Sequence, residues 1–188
     1  MKKSAIALLL PALLFSAMAQ AADWTPMFSY LEKGKTGDRG KAFAAFAGSV
    51  AHYTEDPNCP ITDGCDYRRS LSKTYKLSKP YANDALPARN VTSRELGEEV
   101  EDNGIYTPAY VPVKNATLYG HKIHGFILWE YPDTDDVGHY VDFGPMSKAQ
   151  FAKLNKKVDF KKLPTDYEAE YAAKFTYKKG RVLLHIEY

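Results

Sequence analysis

The chain has 188 residues, 45% of them hydrophobic, with 25 basic and 23 acidic side chains. That length suits one domain with a sizeable core. The near-neutral balance gives no electrostatic reason to expect nucleic acid, and none of the recognition motifs for it appears.

Lys2 and Lys3 precede an apolar run over residues 6–15, broken by Pro11, and Ala19-Gln20-Ala21 ends the stretch. A short positive start, a short apolar core and an Ala-x-Ala exit predict a secretory signal peptide over residues 1–21, of the kind that sends bacterial proteins to the periplasm or the medium. The run is too short and wrongly flanked for a transmembrane helix, and no later segment is apolar enough to span a bilayer. Residues 22–188 are then a single mature domain. Without Lys2 and Lys3, 23 bases balance 23 acids. All fourteen tyrosines belong to this part, which suits a sheet-rich protein with amphipathic aromatic surface.

After an opening segment, Asp38 caps a predicted helix to about residue 53, with Phe43, Phe46, Ala47, Val50 and Tyr53 on one stripe and His52 near its end. Cys59 and Cys65 flank a Pro/Asp-Gly turn, and in an oxidising compartment they are expected to form a local disulfide. Their separation is wider than that of a catalytic dithiol. Residues 70–77 alternate as a half-exposed strand, and residues 78–92 read as an ordered loop. Thr92-x-x-Glu95 is a capping box for a short helix to about residue 101. Asn103-Gly104 marks a turn, and Pro108 and Pro112 limit residues 105–113 to an edge strand or extended loop.

The strongest sheet signal follows: a strand over 118–131, a turn over 132–138 and a return over 139–143. Pairing Trp129 with Val141 puts Ile123, Ile127, Trp129, Val141 and Phe143 on one face. Lys122, His124, Phe126, Glu130, Tyr140 and Asp142 then share the other. Ser147-x-x-Gln150 caps a second helix with Phe151, Leu154 and Val158 inside and lysines outside. Residues 167–177 fit either period; read as a strand, they join residues 181–188 as a hairpin through Lys178-Lys179-Gly180. The sum is an α+β fold: a single antiparallel sheet of five to six strands, packed by two main helices and stapled by one local disulfide.

Chemistry is sparse. There is no Gly-x-Ser-x-Gly elbow, no His-Glu-x-x-His and no Gly-rich phosphate loop. Glu130 and Asp142, with His124 beside them, are the candidate carboxylate pair for acid–base hydrolysis of an envelope substrate. His121, His124 and His139 form the one histidine group, but positions three apart on a strand point to opposite faces, so His121 and His124 need a bulge to share an ion. Asp133, Asp135 and Asp136 lack the glycine and distal Glu of a calcium loop. No cofactor is expected.

Charge is segregated: residues 66–94 carry +5, 95–102 carry −5, 130–142 carry −5 and 148–162 carry +5. Blocks of opposite sign in a neutral exported chain, with aromatic sheet faces beside them, suit steering and docking of a partner. The expectation is a small exported protein-binding module, of the inhibitor or immunity type, acting on another exported protein. Tyr140, Lys122, Lys153, Lys156 and Lys157 are its candidate contact residues. The alternatives are a small envelope hydrolase and a periplasmic ligand or metal carrier.

Overall fold

The structure, a computed structural model, describes residues 21–33, 40–55, 57, 67–100, 107–130, 137–161 and 173–186. The signal segment, Cys59, Cys65 and the Asp133–Asp135–Asp136 turn lie outside the described residues. In chain order the elements are β1 (Ala22–Asp23), α1 (Thr25–Phe28), α2 (Tyr30–Lys33), α3 (Lys41–Ala47), β2 (Ala51–Glu55), β3 (Tyr67–Leu71), β4 (Arg89–Asn90) and α4 (Ser93–Leu96). Then follow β5 (Ala109–Pro112), β6 (Ala116–Leu118), β7 (His121–Lys122), β8 (Gly125–Glu130), β9 (Val137–Pro145), α5 (Lys148–Lys157), β10 (Ala173–Lys178) and β11 (Arg181–Ile186).

The fold is α+β, but not built on one sheet. A six-stranded sheet in the order β10-β11-β9-β8-β5-β4 is the largest, beside a three-stranded sheet β1-β6-β7 and a two-stranded sheet β2-β3. Two local breaks make the difference. Where a single strand is expected over residues 118–131, Tyr119 and Gly120 take positive φ (53° and 76°), so the chain turns and β6 pairs with β7 rather than running on. The helix expected from Asp38 to residue 53 stops at Ala47, and Ala51–Glu55 pairs antiparallel with Tyr67–Leu71. His52 and Tyr53 are therefore strand residues. No disulfide is present among the described residues. No helix among them is long and apolar enough to cross a membrane.

The six-stranded sheet has two unlike faces. On the first, Phe126, Leu128, Val141, Phe143, Val182 and Leu184 join Trp24, Phe28, Leu31, Phe43 and Phe46 in the main core. Phe126 is its hub, with ring centroids 4.6 Å from Trp24, 5.4 Å from Phe46 and 5.9 Å from Phe43. Helix α5 covers the same face through Leu154, and Phe151 packs 5.2 Å from Tyr177. Both capping boxes form, Thr92 with Glu95 and Ser147 with Gln150. Of the strand expected over 167–177, the described part is β10, which reaches Lys178 and forms the expected hairpin with β11 through Lys179-Gly180; residues 167–172 lie outside the described residues.

The β8–β9 register differs from expectation. Trp129 pairs with Gly138, not Val141, and Phe126 pairs with Val141. The offset of three residues is odd, so it exchanges the faces. Phe126 enters the main core, while Ile127 and Trp129 join Tyr140 on the second face. Gly138 explains the choice. The Trp129 ring lies across it, and a Cβ at Gly138 would sit 1.7 Å from the indole. No other residue lets the ring lie flat there.

Gly138→Ala is accordingly expected to expel Trp129 from its seat and to lower stability by about 1–3 kcal/mol, the usual cost of overpacking. Urea denaturation followed by tryptophan emission checks both effects. An unchanged midpoint and spectrum would contradict the register argument.

Candidate functional site

The second face of the six-stranded sheet carries the unusual chemistry. Val91, Tyr110, Ile127 and Leu183 form a small cluster there, with Leu96, Trp129 and Tyr140 packed against it. At its centre Asp142 is fully buried. Its carboxylate accepts hydrogen bonds from the Tyr110 hydroxyl at 2.9 Å and the Gly144 N–H at 2.7 Å, and it pairs with the Arg181 guanidinium. Three strands meet in that contact: β5, β9 and β11. Gly125, opposite Asp142, makes room for it, since a Cβ there would lie 2.8 Å from the Tyr110 oxygen. Burial first, then the negative Asp142 beside it, pushes the Tyr110 hydroxyl well above its ordinary pKa. Tyr110 is therefore a fixed donor at all physiological pH.

The network continues outward. Arg89 lies over the Tyr110 ring at 4.4 Å and forks onto the Glu95 carboxylate, with one arm at 2.9 Å. Glu95 also accepts from the Thr92 N–H at 3.0 Å, as the N3 residue of the capping box that starts α4. Burial pushes Glu95 upward in pKa, but the Arg89 and Thr92 hydrogen bonds outweigh it and hold the carboxyl below its usual range. A cap residue, a cation, a phenol and a buried ion pair thus tie α4 to the sheet.

Beside this network runs an aromatic row. Trp129 and Tyr140 stand 5.1 Å apart and Tyr140 and His185 4.5 Å apart, all three half-buried. A cleft of about 160 Å³ opens against it, bounded by Leu96, Tyr140, Thr176, Lys178, Leu183 and His185.

The residues singled out in the sequence fall in separate places. Asp142 pairs with Gly125, five positions from Glu130 on β8, which is about 17 Å along the strand. The two positions are not opposite one another in the sheet, and Asp142 is committed to Arg181 and Tyr110. His124 lies between β7 and β8 with its ring against Gly144, His121 pairs with Leu118, and His139 pairs with Leu128. No group of three or more His, Cys, Asp or Glu able to hold a metal occurs among the described residues. Lys153, Lys156 and Lys157 are exposed on α5, which covers the first face, whereas Tyr140 belongs to the second. Lys157 donates to the Tyr119 carbonyl at 2.8 Å, and Lys122 is exposed on β7 in the smaller sheet. Tyr140 and these lysines do not make one patch.

Arg89, Tyr110, Trp129, Arg181 and His185 carry the second face; sequence reasoning put Trp129 on the face of Val141 and singled out none of the other four as site residues. The alternation Arg181, Leu183, His185 against Val182, Leu184, Ile186 was the available signal. Comparison with protein-family models, curated proteins and solved structures finds no significant match to this chain.

Two predictions test the site's electrostatics. Asp142→Asn leaves the largely buried Arg181 (17% exposed) without its counter-charge, and is expected to cost about 3 kcal/mol. Combining it with Arg181→Met should cost less than the sum of the single changes, read by a double-mutant cycle in urea. His139 is buried edge-on to Phe43 at 5.4 Å. Desolvation, with a smaller contribution from His185, lowers its pKa from 6.5 to about 4. Between those values the unfolded chain takes up a proton that the folded chain refuses. Stability present above pH 6.5 is then lost as the pH falls toward 4, by about 2.5 kcal/mol at pH 4.5. In His139→Gln the drop between pH 7 and 4.5 should shrink by about that amount; an identical drop in both proteins would contradict the assignment.

Proposed function

We propose that this chain is a small exported protein-binding module, of the inhibitor or immunity type, whose partner is another exported protein. The observation that supports it is the half-buried row Trp129–Tyr140–His185 on the second sheet face, open to a cleft. Rigid aromatic side chains bring a large contact area at small entropic cost, which is why they dominate the centres of protein interfaces. The exposed Lys174 and Lys178 lie on the neighbouring strand β10, as a charged rim. Because the row spans β8, β9 and β11, its spacing is set by strand pairing rather than by loops, and a preorganised surface loses little freedom on binding. The export signal read in residues 1–21 supplies the compartment of this proposal.

The test is affinity purification of the tagged protein from periplasmic extract, followed by mass spectrometry, with Tyr140→Ala in parallel. One stoichiometric partner held by the wild type, and reduced at least tenfold by Tyr140→Ala at unchanged circular dichroism, is the expected result. A partner retained equally by both proteins, or none above background, would refute the reading.

A further inference from the structure

A second cleft, of about 230 Å³, adjoins the first at Gly97, Lys178 and Arg181, between α4 and the turn of the β10–β11 hairpin. Four cations bound it: Arg94, Lys178, Lys179 and Arg181. Among the described residues, no acidic side chain lines it. Two of the cations have anions standing outside the cleft. Arg181 is oriented by the buried Asp142, and Lys178 donates to Glu98 at 3.1 Å. The Arg181 Nε–H finds no acceptor among the described residues. Arg94 and Lys179 have no hydrogen bond or ion pair with any described residue, and both are exposed. Cations gathered from α4 and from both sides of a hairpin turn repel one another, and that arrangement favours an anion between them.

We infer that this cleft binds a phosphate group, in which Arg181 forms the fixed wall and Lys178, Arg94 and Lys179 close over the anion. Phosphate fits better than a carboxylate on donor count. Two guanidinium forks and two ammonium groups offer more N–H bonds than two carboxylate oxygens accept, whereas a tetrahedral anion offers acceptors in several directions. Ser93 lines the same cleft, and its hydroxyl oxygen already accepts the Val100 N–H at 3.1 Å, which leaves its O–H to donate. The site does not depend on the aromatic row or on a protein partner.

Calorimetric titration of the purified protein with inorganic phosphate tests this, with acetate at equal ionic strength as the carboxylate control. One saturable phosphate site is expected, weakened at least tenfold in Arg94→Ala/Lys179→Ala, whose melting temperature should match the wild type because both side chains are exposed and neither has a hydrogen bond or ion pair with a described residue. Glu98→Gln releases Lys178 from its pair and should tighten phosphate binding severalfold, a gain that a merely structural role for these residues would not produce. Co-sedimentation with phosphatidylglycerol vesicles identifies the source. Vesicle binding that inorganic phosphate displaces assigns a lipid phosphate; phosphate binding without vesicle binding assigns a soluble one. No saturable binding at millimolar phosphate, equal affinity for acetate, or full affinity in the double variant would overturn the site.

Discussion

A carboxylate with no exposure to solvent, on the middle strand of a sheet, imposes more order on this protein than any other group. Asp142 is tolerable only because the Arg181 guanidinium, the Tyr110 hydroxyl and the Gly144 N–H all reach it. Those partners come from the hairpin that ends the chain, from a strand thirty residues upstream and from its own strand. If β5 or β11 slid by one position, the buried charge would lose a partner. The ion pair therefore works mainly as a register device, holding β5, β8, β9 and β11 in the one arrangement that keeps the aromatic core on the first face.

The second face follows from that constraint. Arg181 on Asp142 sets the end of the β10–β11 hairpin, and with it Lys178 and Lys179. Tyr110, donating inward, offers its ring outward to Arg89, and Arg89 reaches Glu95, which also closes the capping box of α4. A four-residue helix has little stability of its own, and this chain of contacts holds it against the sheet. The aromatic row and the cationic cleft flank the same segment around Gly97, so one polar network shapes both surfaces.

How much of this was legible depends on the range of the signal. The capping boxes at Thr92 and Ser147 and the turn at Lys179-Gly180 are local chemistry, complete within a few residues, and they form as the sequence indicates. The β8–β9 hairpin was legible as a pair of strands but not in register. The alternation in residues 123–143 admits either face as core, and the deciding fact is the flat contact of Trp129 on Gly138. The helix expected to residue 53 shows the opposite failure. Phe43 and Phe46 do lie on a helical stripe in the core, but His52 and Tyr53 are drawn into a strand by Ser70 and Arg69, residues far ahead in the chain.

The amino-acid sequence by itself determined the mixed α+β character, the capped starts of α4 and α5 and the last hairpin, because those rest on propensity, capping and period over short windows. Tertiary structure alone decided the division into three sheets, the identity of the buried face and the separation of Glu130 from Asp142. It also decided that Arg94, in one charge block, meets Lys178, Lys179 and Arg181 from the far end of the chain. The physical reason is the same in each case. Strand pairing and burial of charge are settled by partners distant in sequence, and a slip of an odd number of residues exchanges the two faces without changing the local pattern at all.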